Sequence, residues 1–104
     1  MIPINIQSTE TIIENLLEYD GEPVIAICHF NNKLYIKWWA DKDSWLFFQP
    51  TSIQDVKEFI EKPCVSPFIK IIKNSEIILQ KNEQFFQIPI EQIQLIKDYI
   101  PCYS

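Results

Sequence analysis

Between residues 10 and 19 the apolar positions are Ile12, Ile13, Leu16 and Leu17, separated by Glu10, Glu14 and Glu18. This spacing places the two sets on opposite faces of a helix, and Ser8 or Thr9 is a suitable N-cap. The run Asp20-Gly21-Glu22-Pro23 is a strong break and predicts the end of the helix near Tyr19. Residues 1–7, short and proline-containing, read as an extended arm.

The pattern then changes period. Val24, Ala26 and Cys28 alternate with Ile25 and Ile27, so both faces of a predicted strand over 24–30 are apolar. Asn31-Asn32-Lys33 reads as a turn, because Asn tolerates positive φ. A second strand over 34–39 carries Leu34, Ile36 and Trp38 on one face and Tyr35, Lys37 and Trp39 on the other. A loop with Asp41, Lys42 and Asp43 leads to a third strand over 45–49, closed by Pro50. Together these three form an antiparallel meander.

Beyond Pro50 the helical period returns. Ser52 reads as an N-cap with Asp55 three residues on, and Ile53, Val56, Phe59 and Ile60 share one face. The helix stops before Pro63. Ser66-Pro67 reads as the start of a short turn through Ile71. Residues 76–80 and 84–88 read as a hairpin around Lys81-Asn82-Glu83. Ile90, Ile93, Ile96 and Ile100 suggest a closing helix ended by Pro101. The expectation is one α+β domain over 1–104, an antiparallel sheet of about five strands (three-stranded meander plus hairpin) packed with three to four short helices.

Composition narrows the function. The chain has 104 residues, a formal net charge of -5 and a single Gly. Its nine basic residues are all Lys. Without Arg no side chain makes the rigid two-pronged contact that phosphate or guanine recognition favours, and the acidic balance opposes a polyanion, so no nucleic acid is expected as partner. One Gly cannot build a Gly-rich phosphate loop. The excess charge is local. Glu10, Glu14, Glu18, Asp20 and Glu22 precede residue 31 with no Lys among them, and the rest of the chain is balanced. That segment is either an ordinary solvated face or a surface that attracts a basic protein.

Cys28, Cys64 and Cys102 are odd in number and far apart, which suggests neither a disulfide framework nor a zinc site. The only His, His29, neighbours Cys28 on a strand and so points to the opposite face. No catalytic residue, metal site or cofactor is expected, and the chain reads as non-enzymatic. The N-terminus lacks a basic segment followed by an apolar run, and no stretch is long and apolar enough for a membrane. A cytoplasmic protein is expected.

Half of the aromatic residues fall between Phe30 and Phe48. Aromatic area is costly in water, so this ribbon is core, interface or both. The Leu34, Ile36 and Trp38 face is expected to be core. The Tyr35, Lys37 and Trp39 face is either a binding surface or lies under the C-terminal helix. Asp41 and Asp43, between Trp39 and Trp45, form either a polar hairpin loop or a partner-binding loop.

The run Tyr19-Asp20-Gly21-Glu22-Pro23, Leu34-Tyr35-Ile36, Trp39-Ala40-Asp41, Trp45-Leu46 and Pro50-Thr51-Ser52 resembles an uncharacterised bacterial family with a Tyr-Asp-Gly-Pro, Trp-x-Asp, Trp-Leu and Pro-x-Ser pattern. The likeness spans about residues 17–68. Glu22 intrudes between Gly21 and Pro23, and the family's Arg-containing segment is missing near Ser66. The resemblance implies a small cytoplasmic α+β domain and no mechanism.

The leading expectation is a small acidic protein-binding module, an inhibitor, immunity protein or anti-defence protein that masks a partner's surface. The partner is a protein with a basic surface, and a homo-oligomer is a further possibility. Candidate contact residues are Tyr35, Lys37, Trp39, Asp41, Asp43, Trp45, Glu14, Glu18, Asp20 and Glu22. The alternative is a sensor of a sugar, nucleotide or metabolite using a Trp-lined pocket.

Overall fold

A computed structural model of the chain describes residues 2–6, 10–41, 43–62 and 68–99. Its strands are β1 (Ile2–Ile4), β2 (Thr11–Tyr19), β3 (Glu22–Phe30), β4 (Lys33–Asp41), β5 (Ser44–Pro50), β6 (Ile72–Lys81) and β7 (Gln84–Pro89). One α-helix, α1 (Ile53–Glu61), is joined by 3-10 helices at Phe68–Ile71 and Ile90–Tyr99. All seven strands form one antiparallel sheet in the order β1-β7-β6-β5-β4-β3-β2.

The architecture is therefore mostly β, and the expected α+β arrangement of five strands with three to four helices is corrected. The expected N-terminal helix is strand β2. Its helix-like spacing comes from bulges. Ile12 pairs with Cys28 and Glu14 with Ile27, leaving Ile13 as an extra residue, and Leu16 is extra between Asn15 and Leu17. Each bulge resets the two-residue alternation. Two of them, three residues apart, imitate a helical stripe. The expected closing helix is a 3-10 helix, with Ile93 buried against the sheet and Leu95 exposed. Ile100, Pro101, Ser8, Thr9, Lys42, Cys64, Ser66, Pro67 and Cys102, named above, lie outside the described residues.

Turn chemistry sets the hairpins. Asp20 and Gly21 (φ 52° and 79°), Asn31 and Asn32 (53° and 63°), and Asn82 and Glu83 (50° and 70°) form three two-residue turns with both positions at positive φ. That is the type I′ signature, whose twist matches the flanking strands. The Asp-Gly pair is thus a hairpin turn and not a helix stop.

Helix α1 forms as the sequence predicts. The Ser52 hydroxyl accepts a hydrogen bond from the Asp55 backbone N–H at 3.0 Å, satisfying a donor in the first turn. Thr51 donates its hydroxyl proton to Asp55 at 2.8 Å. The buried face of the helix is Val56 and Phe59.

The sheet has a core on each side. On the first face Ile25, Ile27, Ile36, Trp38, Leu46, Phe48, Ile77, Leu79 and Ile88 meet α1, Phe68, Ile71 and Ile93. Trp38 and Phe68 pack edge-on at 5.4 Å, and Phe48 and Phe68 at 5.1 Å. On the second face Cys28, Phe30, Tyr35, Phe47 and Ile78 form a smaller cluster, with Phe30 stacked on Phe47 at 4.6 Å. Adjacent aromatics thus feed different cores, Phe47 one and Phe48 the other. Each such pair adds modestly to the burial of two large rings.

The second face is covered by the N-terminal segment and not by a C-terminal helix. Strands β1 and β2 are neighbours in sequence but lie at opposite edges of the sheet. Six interstrand spacings would separate the edges of a flat sheet by about 29 Å. The seven steps from Ile4 to Thr11 reach at most about 24 Å. The sheet is therefore curled, with Ile4 and Ile6 on its concave side. Ile4 and Ile6 pack on the second-face cluster, and Glu10 pairs with Lys37 on the same face.

Candidate functional site

The second face is not covered along its whole length. Ile4 and Ile6 pack against the second-face cluster, and beyond Lys37 the face opens into a groove of about 570 Å³. It is lined by Ile12, Tyr19, Asp20, Glu22, Pro23, Val24, Lys37, Trp39 and Trp45. Register explains the assembly. Trp39 pairs directly with Trp45 across β4 and β5, and Lys37 pairs with Phe47 two residues away on the same face. Ile12 joins them because it pairs with Cys28, another residue of this face. The Asp20-Gly21 turn brings Tyr19 and Glu22 to the same end.

The groove is aromatic, open and charged at once. Trp39 is 43% exposed, Tyr19 72%, and Trp45 half-buried. Lys37 is held by two contacts, a salt bridge with Glu10 and a place 4.0 Å from the centre of the Trp45 ring. The other oxygen of Glu10, Oε2, is buried and has no hydrogen-bond partner among the described residues. Asp20 and Glu22 are exposed on the wall.

The candidate residues separate into four groups. Lys37, Trp39, Trp45, Asp20 and Glu22 come together in the groove. Tyr35 does not. It is 7% exposed, packed against Phe30 and Phe47, and burial raises its pKa. Glu14 and Glu18 are exposed on the edge strand outside the groove lining, and Glu18 accepts a hydrogen bond from the Asn15 amide at 2.8 Å. Asp43 sits in the β4–β5 turn, where its carbonyl accepts a hydrogen bond from Asn82 N–H at 3.2 Å, and Asp41 is the last residue of β4. Within the expected core face, Ile36 and Trp38 are buried but Leu34 is exposed.

Sequence reasoning missed Tyr19 and Ile12 as groove residues, because both were placed on a helix. The signal that could have found them is Asp20-Gly21 flanked by apolar residues, a hairpin pattern.

Nucleophilic chemistry is poorly served here. Cys28 is completely buried, and its pKa is pushed up to about 11 by burial and by the nearby Glu10 charge, with Lys37 opposing. A thiol in that state supplies almost no thiolate at neutral pH. Among the described residues no group of three or more His, Cys, Asp or Glu is placed to hold a metal ion. No helix among them is long and apolar enough to cross a membrane. No family model, no curated protein and no solved structure matches the chain.

Proposed function

We propose that the protein is a non-enzymatic, cytoplasmic protein-binding module that masks a partner's surface, in the manner of an inhibitor, an immunity protein or an anti-defence protein. The observation that carries this reading is the open groove in which Tyr19, Trp39 and Trp45 stand beside Asp20 and Glu22. Large aromatics offer much contact area for little conformational entropy, and partly exposed Trp and Tyr are the residues that dominate interface energetics. The adjoining edge strand contributes Ile12 to the groove and exposes further apolar and acidic residues outside its lining. Ile13 and Leu17 are exposed there, as are Glu14 and Glu18. Acidic groups around such a patch speed encounter with a basic partner and reject acidic ones.

The test is capture of a partner from the native host with the wild-type chain and with Trp39→Ala, alongside Lys57→Ala on the exposed face of α1. A partner lost with Trp39→Ala and kept with Lys57→Ala supports the reading. Equal capture by all three chains removes the groove from it.

A second reading, a small-ligand sensor, draws on the groove's volume, which lies within the range of small-molecule sites. Titration of Trp fluorescence with sugars, nucleotides and metabolites separates the two. Saturable quenching by one of these compounds, with no protein captured, favours the sensor.

A further inference from the structure

Two other cavities carry less. The groove beside α1, about 580 Å³, is lined mainly by exposed charged side chains, among which Asp55 and Glu58 already bond to Thr51 and Gln54. The cavity beside β1, about 440 Å³, is lined by residues 3–6 and by Glu83 with the start of β7, the strand that β1 pairs with. The aromatic groove holds something the others lack, an ammonium group already seated on one of its rings. Lys37 occupies Trp45, and Glu10 balances its charge.

Trp39, the cross-strand partner of Trp45, has no cation over its ring among the described residues, and nearly half of its surface is open. Asp20 and Glu22 line the same groove, and the one ion pair among the described residues is Glu10–Lys37. Among the described residues the groove thus contains one completed set of ring, cation and carboxylate, and a second ring and pair of carboxylates with no cation between them. An anionic ligand would meet Asp20 and Glu22 at a cost. A neutral apolar one would cover Trp39 and strip water from the carboxylates without replacing it. A cation satisfies both, through the ring quadrupole and through countercharge.

We propose that this groove takes a cationic side chain, a lysine ammonium or arginine guanidinium presented by a basic polypeptide, seated on Trp39 with Asp20 and Glu22 supplying the countercharge. A polypeptide is favoured over a free amine because the groove runs on from Trp39 to apolar surface at Ile12, Pro23 and Val24, which a neighbouring side chain would cover. This inference rests on the protein-binding reading and adds the chemistry of what is bound.

The test uses the full chain, labelled with nitrogen-15, and three probes. These are a blocked hexapeptide alternating Leu and Arg, the same peptide with citrulline in place of Arg, and spermidine. Citrulline keeps the shape of Arg and removes its charge. The Arg peptide is expected to shift the Trp39 indole N–H and the amides of Tyr19 to Glu22. The citrulline peptide is expected to bind at least tenfold more weakly. Asp20→Asn with Glu22→Gln is expected to weaken the Arg peptide by a similar factor and to leave the citrulline peptide unchanged. Asn is well tolerated at the positive φ of residue 20, so this variant keeps the turn. Equal binding of the two peptides overturns the inference. Spermidine binding as tightly as the Arg peptide overturns the choice of a polypeptide. If the Arg peptide leaves the groove unshifted while capture of a native partner still requires Trp39, the cation is wrong and the protein-binding reading stands.

Discussion

The Lys37 ammonium lies 4.0 Å from the centre of the Trp45 ring and pairs with Glu10. One side chain therefore joins the N-terminal segment to the wall of the groove. The pair is neither fully exposed nor fully buried, with side-chain exposures of 13% for Lys37 and 31% for Glu10. Glu10→Gln is expected to cost about 1 kcal/mol, between the values typical of surface and buried pairs. Trp45 emission should change in the same variant. Urea unfolding followed by fluorescence checks both, and an unchanged midpoint with unchanged emission would show the pair to be incidental.

A core on each side of the sheet makes a paired prediction. Phe47 and Phe48 are adjacent, both buried, and belong to different clusters. Replacing either with Ala should cost about 3–5 kcal/mol. If only Phe48→Ala is severe, the second face is not a true core. Ile13→Ala on the exposed edge serves as the control and should change stability by less than about 0.5 kcal/mol.

Two turn positions should respond in opposite directions. Gly21 has φ 79°, and a methyl group there would meet nothing within 4 Å. The cost of Gly21→Ala is therefore backbone strain alone, about 1 kcal/mol. Glu83 holds φ 70° with a β-carbon, so Glu83→Gly should raise stability by roughly 0.5 kcal/mol. Thermal melts of the two variants decide it. A destabilised Glu83→Gly would mean that its side chain contributes more than its backbone costs.

Alkaline pH should weaken the fold through Cys28. Its ordinary pKa is 9.0 and its folded value about 11, so between these pH values the folded chain holds a proton that the unfolded chain has released. Stability therefore falls as pH rises across that interval, and the contribution is fully present below pH 9. Tyr35, also raised by burial, acts in the same direction. Denaturation midpoints at pH 7.5 and 10.5 should show a smaller drop for Cys28→Ala than for the wild type. An equal drop would place the effect elsewhere.

Much of the middle of the chain was legible because local signals there agree with one another. The meander of β3, β4 and β5, the Ser52 cap with α1, and the β6–β7 hairpin all have a clear period bounded by turn or cap residues. The stretch over Thr11–Tyr19 was not. Bulges at Ile13 and Leu16 gave an edge strand the spacing of a helix, and propensity alone could not separate the two. Trp39, Trp45, Lys37, Asp20 and Glu22 were legible one by one as candidates. That Asp20 and Glu22 meet the face of Lys37, Trp39 and Trp45 was not, because it depends on β2 lying beside β3 and on the curl of the sheet. Tyr35 shows the reverse error, since alternation placed it correctly on the second face but could not reveal that Ile4 and Ile6 cover that end.

The pairing of β1 with β7 has a consequence for the order of events at the ribosome. Ile2 pairs with Gln87, so β1 leaves the ribosome well before its partner strand exists. Until β7 emerges, Ile4 and Ile6 have no edge to dock on, and Phe30, Tyr35 and Phe47 stay wet on the concave side. Strand β1 must wait for the edge it pairs with. A nascent chain halted before residue 84 would display the second-face aromatics to any chaperone nearby.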